Sequence, residues 1–441
     1  MPKLLIVQAA TYRSETDRRP MRIKKRRLVG LIMPYLAALA PQDWHITLHD
    51  DAIAEPPYGE HFDVVAITVR TVTSLRAYEI AARFRATGAT VVMGGPHATF
   101  YSAEMAEHAD AVCVGEGEEV FATMLGDAAA GRLKPLYRRD GVADLAGLPK
   151  PRWDLLDMNN YVFYRPFVIQ QSRGCPYTCD FCAERRLNGD YGFRDRPAGE
   201  IVEDIKLCGS KHIFFAASQF VGHKGRTMEL LEKLVPLKIH WSALFSPRFG
   251  LDATFLDLAK RSGLLHVNMG IESISQGALK TMHKDFNHVE TYKEMIRNLN
   301  ARNISYSFNF VIGADEDTPD VFDETLKFLD EMKVPAAYFN VISPLRGTPL
   351  YDRAKQDGRI IDEPNMERWA GVKCHMQPRN LSADALIAGV KSMQKRFYAW
   401  PKLLGRLRFP PRSYADFANW EVCLSQRAVA DSDIMNEFSE F

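Results

Sequence analysis

The chain has 441 residues, 46% hydrophobic and 25% charged, with a formal net charge of +1. This length allows two or three domains with buried cores, and the small net charge excludes whole-molecule attraction to nucleic acid or to an anionic membrane. The start, MPKLLIVQAA, predicts a first strand, and we expect no membrane span. Seven cysteines, an odd number, predict a reducing compartment, the cytoplasm.

Residues 1–130 alternate strand and helix. The predicted strands are KLLIVQA, HITLHD, DVVAITVR, TVVMGG and AVCVGE, with helices between them. This order predicts a Rossmann-like α/β domain, a parallel sheet with helices on both faces. Such sheets bind ligands beyond the strand carboxyl ends, where Gly94, Gly95 and Gly115 fall. These glycines either let a ligand approach the backbone closely or only form turns.

A basic run, RRPMRIKKRR, occupies residues 18–27. It is either a solvated loop or a clamp for carboxylates or phosphates of a substrate or cofactor.

Prolines punctuate residues 131–166, which we predict to be a linker. Residues 167–350 then give six strands separated by helical stretches: FVIQQS, HIFFAAS, IHWSALFS, LLHVNMGIES, ISYSFNFVIG and AAYFNVISP. Six such units predict a partial (β/α)6 barrel of the TIM type, whose chemistry lies at the strand carboxyl ends.

Three of the seven cysteines, Cys175, Cys179 and Cys182, lie in the loop directly after the first of these strands. Three thiolates can hold three irons of a [4Fe-4S] cluster and leave the fourth iron open to a ligand. The alternatives are a zinc knuckle, a disulfide with a spare thiol, and buried core cysteines. Zinc is disfavoured because no second Cys/His pair follows at knuckle spacing.

The C-x3-C-x2-C spacing with Phe181 before the last cysteine resembles the signature of the radical S-adenosylmethionine (SAM) enzymes. The resemblance implies that the open iron binds SAM, that reduction cleaves a carbon–sulfur bond of SAM, and that Phe181 packs near the adenine. By the same resemblance, Glu272 hydrogen-bonds SAM. Where many relatives carry two acidic residues on the second barrel strand, this chain has Ala216 and Ala217, so that acidic pair is absent or moved.

Residues 71–121 and the stretch LAGLPKPRWDLL resemble the cobalamin-binding domain that precedes the radical domain in one large radical SAM class. The resemblance implies that cobalamin lies over the glycine loops. The D-x-H-x-x-G motif of many cobalamin domains, whose histidine ligates cobalt from below, is missing here.

Residues 351–441 predict a helical C-terminal segment, with Ser382 capping a helix that reaches about Tyr398. The segment either docks on the barrel opening or closes over a hydrophobic substrate as a lid. Arg346, after the last barrel strand, is a candidate catalytic residue that binds a substrate carboxylate or oxyanion.

These features predict a cobalamin-dependent radical SAM methyltransferase acting on an unactivated carbon of a small natural product, either hydrophobic or anionic. The expected partners are that substrate and a reducing protein such as flavodoxin or ferredoxin, without nucleic acid. One alternative is a cobalamin-independent radical SAM enzyme performing cyclisation, hydroxylation or 3-amino-3-carboxypropyl transfer. Another is a non-catalytic iron–sulfur redox or scaffold protein.

Overall fold

Two six-stranded parallel sheets organise the chain. The computed structural model describes residues 1–369 and 373–430. The first sheet has the strand order β2-β1-β3-β4-β5-β6. Its strands are β1 Lys3–Gln8, β2 His45–Asp50, β3 Val64–Thr68, β4 Thr90–Gly94, β5 Ala111–Val114 and β6 Leu136–Arg138.

Four helices belong to the first domain: α1 Ile32–Leu39, α2 Ser74–Ala86, α3 Pro96–Ala106 and α4 Val120–Ala129. The strands between them are buried almost without interruption, as in VVAI of β3 and AVCV of β5. Strands covered on both faces need apolar residues on both faces, so these runs do not alternate. The two faces form two separate apolar clusters, one around Phe84 and one around Phe121.

The second sheet has the order β14-β13-β12-β11-β10-β7. The strands of this sheet stand side by side in the order in which they follow one another along the sequence. This is the arrangement of an incomplete barrel. The strands are β7 Phe167–Gln170, β10 His212–Ala216, β11 His240–Leu244, β12 Leu264–Glu272, β13 Ser305–Ile312 and β14 Ala336–Val341. A short antiparallel pair, β8 Ser172–Arg173 and β9 Arg194–Asp195, follows β7.

Burial alternates along β10 and β11, with every second residue half-exposed. The buried set packs against the surrounding helices, and the half-exposed set faces the inside of the barrel. The barrel-domain helices are α5 Glu184–Leu187, α6 Ala198–Cys208, α7 Lys224–Leu234, α8 Ala253–Arg261, α9 Gln276–Thr281, α10 Tyr292–Ala301, α11 Val321–Glu331 and α12 Pro349–Gln356.

Three helices complete the described chain: α13 Ala383–Phe397, α14 Trp400–Arg406 and α15 Tyr414–Ala430. The side chain of Ser382 accepts a hydrogen bond from the Ala385 N–H, so the predicted cap is confirmed. Helix α13 packs on β14 and α15 packs on β12, β13 and β14. Two parts of the predicted helical segment, residues 370–372 and 431–441, lie outside the described residues. None of the helices within the described residues has the length and apolarity to span a membrane.

The predicted fold class is confirmed, with one strand missed in the first sheet. β6 lies inside residues 131–166, where we predicted only a linker, and it pairs with β5 from Val112 to Val114. It is three residues long and only Tyr137 among them is buried. So short a strand has no periodicity to detect.

Candidate active site between the two sheets

The carboxyl ends of both sheets border one large space, which we call the central cavity. Its volume is about 1240 Å³. The first domain contributes Gln8 at the end of β1 and Thr68 at the end of β3. Parallel sheets with this strand order bind ligands between those two strands, where the order reverses. The barrel contributes Ser172 and Glu272, so both predicted binding edges meet at one cavity.

The cysteine loop leaves β8 at a sharp turn. Gly174 has φ of +81°, and a Cβ added there would lie 1.8 Å from the Gly192 carbonyl oxygen. Only glycine fits this close approach, because any side chain would collide with backbone. Cys175, Cys179 and Cys182 follow this turn in one short loop.

Two later elements hold this loop. The Asp180 N–H donates to the Met282 carbonyl at 3.2 Å, and the Asp180 carboxylate pairs with Arg353 on α12. The Tyr177 ring stacks on Phe286, with 4.0 Å between ring centroids. The loop is therefore fixed to the segment after α9, residues 282–287, which the sequence analysis did not single out.

Glu272 lies at a distortion of β12. The register of β12 on β13 shifts between Gly270 and Glu272, and Glu272 has φ of +64°, in the left-handed region. This conformation is costly for a residue with a side chain, and such bulges often redirect a side chain beside an active site. The bulge places the Glu272 carboxylate on the central cavity.

Lys284 is the partner of Glu272, with its Nζ 2.6 Å from Oε1. Burial disfavours its charged form, but attraction to Glu272 and Cys179 raises the pKa of Lys284 above its usual value. A Cβ on Gly270 would lie 2.3 Å from Glu272 Oε1 and 2.8 Å from Lys284 Nζ. Gly270 thus leaves the room that this ion pair occupies.

The residues around the loop fit an iron–sulfur cluster. Cys175 and Cys179 are half-buried, Cys182 is exposed, and all three are free thiols. Burial raises the pKa of Cys179 to about 12 and that of Cys182 to about 11, and the nearby Lys284 ammonium opposes this rise. The thiolates are the forms that bind iron. Within residues 1–369 and 373–430, no three His, Cys, Asp or Glu side chains are grouped as for a single metal ion. A cluster instead spreads its thiolates over different irons.

Phe181 and Arg346 contact different parts of the structure. Phe181 packs with Val311 against the two small apolar clusters that contain Met282 and Ile342. The Arg346 Nε donates to the Tyr101 hydroxyl of α3 at 3.0 Å, and its Nη2 lies 3.6 Å from Glu363. Arg346 therefore joins the first domain to the C-terminal segment. The roles predicted for these two residues stay predictions.

The predicted glycine loops border a second, smaller cavity of about 340 Å³ between the first domain and the start of the barrel, where Gln170 and Arg173 also line it. Gly94, Gly95 and Gly115 line it together with apolar residues of α1 and α4. A Cβ on Gly95 would lie 2.8 Å from the Val69 carbonyl oxygen, so the fold itself requires this glycine. Gly115 has φ of +85° with open space around it, which leaves room for a ligand beside the backbone.

His97, next to these glycines, is fully buried. Its ring nitrogens contact the Tyr78 hydroxyl at 2.9 Å and the Thr71 hydroxyl at 3.1 Å, and the ring stacks on Tyr101. Both nitrogens are occupied, so this histidine is part of the domain core. The geometry agrees with the absence of a cobalt-ligating histidine motif.

Arg173, directly before the cysteine loop, binds both glutamates of the Gly115 loop. Its Nη1 lies 3.0 Å from Glu116 and its Nη2 lies 2.5 Å from Glu118. Arg194 lies 2.5 Å from Glu116, and the Tyr35 hydroxyl donates to Glu118. This nearly buried ion-pair network joins the glycine loop to the cysteine loop, and the sequence analysis did not predict it.

Arg19, Arg22 and Arg26 of the basic run pair with carboxylates of the first domain. Arg22 pairs with Asp51 and Glu55, and Arg26 pairs with Asp50 at 2.7 Å. Lys24 and Lys25 are exposed.

Family models match both halves of this site. Residues 35–125 match the B12 binding domain and residues 169–329 match the radical SAM superfamily. The chain belongs to the radical SAM superfamily, in the class with an N-terminal B12-binding domain, and it is an enzyme. The predicted cofactors, a [4Fe-4S] cluster, SAM and cobalamin, are confirmed by these two domains, and a non-catalytic scaffold is excluded.

Among curated proteins, the chain is 27% identical over 402 residues to bacteriochlorophyllide d C-12(1)-methyltransferase of Chlorobaculum tepidum, covering 89% of this chain and 87% of the relative. It is 29% identical over 403 residues to the C-8(2)-methyltransferase of the same organism, covering 87% and 89%. It is 26% identical to hopanoid C-2 methylase of Rhodopseudomonas palustris, covering 86% and 72%.

Solved structures share the fold. The radical SAM methyltransferase TsrM from Kitasatospora setae, with cobalamin and a [4Fe-4S] cluster bound, superposes with a TM-score of 0.67 at 15% identity, covering 97% of this chain and all of that one. The cobalamin-dependent enzyme OxsB gives 0.72 at 15% identity, covering 98% and 72%.

Proposed function

We propose that this enzyme transfers a methyl group from SAM to an unactivated carbon of a small molecule, with cobalamin as the intermediate carrier. The observation that carries the proposal is the central cavity, because Gln8 and Thr68 of the B12-binding sheet and Glu272 of the barrel border the same space. Relatives named as methyltransferases support the reaction type.

In this assignment Cys175, Cys179 and Cys182 hold the [4Fe-4S] cluster, and the Gly94, Gly95 and Gly115 backbone borders the corrinoid. When bound, these groups supply the electron and the methyl carrier, which no side chain can supply.

The side chains bind and orient the reactants. Glu272, held by Lys284, accepts hydrogen bonds from SAM on the barrel rim, and Phe181 supplies an apolar contact for the adenine. Arg173 holds the cysteine loop against the Gly115 loop, so the two cofactor sites keep a fixed separation. The helices α13 and α15 cover the inside of the barrel and exclude water from it.

Arg346 has a more limited role in this assignment. Its guanidinium is engaged by Tyr101 and Glu363, and its backbone N–H donates to Glu367 at 2.5 Å. We assign it to positioning α3 against the C-terminal segment, with its contact to a substrate anion as the alternative. The reducing partner of flavodoxin or ferredoxin type and the absence of nucleic acid belong to the same proposal.

A radical cyclisation is the second candidate. It is favoured by similarity to the anaerobic magnesium-protoporphyrin IX monomethyl ester cyclase of Cereibacter sphaeroides, 26% identical over 342 residues. This match covers 70% of the present chain and 55% of the cyclase.

Product analysis separates the candidates. The anaerobically reconstituted enzyme is incubated with methyl-labelled SAM and a low-potential reductant. The methyltransferase assignment predicts label on the corrinoid, with S-adenosylhomocysteine and 5′-deoxyadenosine as products. Methylthioadenosine would instead indicate 3-amino-3-carboxypropyl transfer, and 5′-deoxyadenosine without labelled corrinoid would indicate cyclisation in place of methyl transfer.

A further inference from the structure

The barrel is open along one side. Its end strands β7 and β14 lie at opposite edges of the second sheet and, within the described strands, are not paired with each other. Val168 of β7 and Asn340 of β14 both line the central cavity, so the cavity reaches both edges of this opening. A closed barrel has no such opening, because its first and last strands are hydrogen-bonded.

Two other segments cover these edges. On β7, the Val29 N–H donates to the Pro166 carbonyl at 2.9 Å, and the Val168 N–H donates to the Val29 carbonyl at 3.0 Å. On β14, the Tyr398 hydroxyl at the end of α13 donates to the Ala337 carbonyl at 2.6 Å and accepts from the Ala337 N–H at 3.1 Å. The opening is therefore bordered by residues 26–29 on one side and by α13 on the other.

Arg27 is the cation on the first side. It lies two residues before Val29, is exposed, and lines the central cavity. Arg19, Arg22 and Arg26 of the same basic run pair with carboxylates, whereas no carboxylate among the described residues pairs with Arg27. Its guanidinium is available to a ligand anion, to which it can present two parallel N–H donors.

Two lysines are the cations on the second side. Lys391 and Lys395 lie one turn apart on α13, both are exposed, and both line the central cavity. The other residues of α13 that line it are Ile387, Val390 and Gln394. This spacing is that of a single helix face, so one face of α13 carries both ammonium groups to the cavity. Lys395 has no carboxylate partner within the described part of the chain.

Cations outnumber carboxylates on the described lining of the cavity. The guanidinium and ammonium groups that line it are those of Arg27, Arg70, Arg173, Lys391 and Lys395, and the carboxylates are those of Glu184, Glu272 and Glu421. Arg173 is paired with Glu118, and Glu272 is paired with Lys284. The remaining groups give the cavity an excess of positive charge. Burial lowers the pKa of the three histidines on the lining, which are therefore neutral near neutral pH: His212, His240 and His266.

The strands supply a different kind of surface. Their lining residues include Phe214 of β10, Leu244 of β11, Leu265 of β12 and Phe339 of β14. The cavity volume of about 1240 Å³ exceeds the roughly 300–1000 Å³ of an ordinary small-molecule pocket, so a second molecule fits beside SAM. An apolar framework can lie along the sheet while an attached anionic group lies at the opening.

We propose that the barrel binds an amphiphilic anion whose apolar framework lies along the sheet and whose carboxylate or phosphate group lies at the side opening, near Arg27, Lys391 and Lys395. The inference rests on the proposed function and adds to it the substrate class. In a cavity walled largely by protein, the attraction between an anion and these cations is stronger than in bulk water, whereas a cationic ligand is repelled. A neutral polar group experiences neither effect.

The test uses one apolar framework in three charge states: 4-(1-pyrenyl)butyrate, the corresponding butanamide and 4-(1-pyrenyl)butylammonium. Binding to the anaerobically reconstituted holoenzyme at low salt is followed by quenching of pyrene fluorescence. We expect the butyrate to bind at least about tenfold more tightly than the butanamide, a difference of about 1.4 kcal/mol, and the ammonium to bind most weakly. The inference is overturned if the butanamide or the ammonium binds as tightly as the butyrate, or if the butyrate does not bind.

Two variants locate the anionic group. Arg27→Met and Lys395→Met each keep an unbranched apolar side chain and remove one charge. We expect each to weaken butyrate binding about threefold to tenfold and to leave the butanamide affinity unchanged. Lys395→Arg keeps the charge and should bind the butyrate as the wild-type protein does.

Matched controls lie beside each position. Lys25→Met changes an exposed member of the basic run that does not line the central cavity, and Arg396→Met changes the neighbour of Lys395 that pairs with Asp323 of α11. Both should leave butyrate binding unchanged.

The two probes together separate charge recognition from packing. An equal loss of affinity for the butyrate and the butanamide in Arg27→Met and Lys395→Met would show that these side chains contact the framework and not the anion, and would overturn the inference. Label transfer from SAM to the corrinoid needs no probe, so its failure counts against the proposed function alone.

Discussion

The two six-stranded sheets use opposite strategies to make a binding site. The central strands of the first sheet are apolar on both faces, as VVAI of β3 shows, so a ligand reaches their backbone at the strand ends. The second sheet buries its outer face, and its inner face borders the central cavity with apolar side chains such as Phe214 and Leu244 beside polar ones such as Asn309. A sheet covered on both faces can bind a cofactor only at the ends of its strands, whereas a partial barrel can enclose a substrate. Joining the two at their carboxyl ends gives one cavity with both properties.

We expect the largest loss of activity from a change in the cysteine loop, which belongs to the barrel domain. Cys175→Ser removes one of three proposed cluster ligands, so we expect loss of the iron–sulfur absorbance and no measurable SAM cleavage. Iron content and visible absorption of the anaerobically purified protein are the measurements. Cys208→Ser is the control, since that thiol donates to the Ile205 carbonyl on α6 and lies outside the loop. A cluster that survives in the Cys175 variant would contradict the ligand assignment.

The next largest effect, a loss of stability, is expected from a change at the junction between the two sheets. Arg173→Leu leaves Glu118 without the cation that pairs with it, while Glu116 keeps Arg194, and we expect this change to cost about 3–5 kcal/mol. Urea unfolding measures the change. Arg152→Ala removes an exposed pair with Asp154 and should cost under about 1 kcal/mol. Equal losses for the two variants would mean that the Arg173 network does not hold the domains together.

A smaller effect is expected at the rim of the barrel. Glu272→Gln and Lys284→Met should each weaken SAM binding about 10- to 100-fold while the cluster stays intact, because a charged hydrogen bond contributes about 1.5–3 kcal/mol. Equilibrium dialysis with labelled SAM gives the affinity, and a double variant measures their coupling. Lys280→Met, an exposed lysine on α9, is the control. Additive effects of the two variants would argue against the ion pair as a unit.

The smallest effect should come from the surface of the first domain. The triple variant Arg18→Ala, Lys24→Ala and Lys25→Ala changes only exposed side chains of the basic run. We expect unfolding free energy within about 0.5 kcal/mol of the wild-type value and unchanged corrinoid affinity at low salt. Weaker corrinoid binding at low salt would support the interpretation that the basic run binds carboxylates or phosphates of the cofactor.

The sequence predicted what local patterns encode. Continuous apolar runs gave the strands of the first sheet, and the cysteine spacing after Phe167–Gln170 located the cluster loop at a strand end. Gly95 shows the limit of such reasoning, because its backbone packs against Val69, twenty-six residues earlier in the chain. A glycine required by a distant backbone looks the same in a sequence as one required by a ligand.

The contacts that complete the site could not be predicted, because they join distant segments. Lys284 reaches Glu272 only through the turn after α9, and Arg173 meets Glu118 across 55 residues. The hollow of the barrel was also missed. Ala216 and Ala217 indicated that the acidic pair of many relatives is missing from the second barrel strand. The central cavity that Asn268 and Gln426 border depends instead on the position of α15.

The shared cavity is the central claim, and electron paramagnetic resonance tests it most directly. The reconstituted enzyme is loaded with cob(II)alamin, and its cluster is reduced to the paramagnetic state. If both cofactors border one cavity, their spins interact, and the spectrum of the doubly loaded enzyme is broadened or split relative to the sum of the singly loaded spectra. A spectrum equal to that sum would contradict the account.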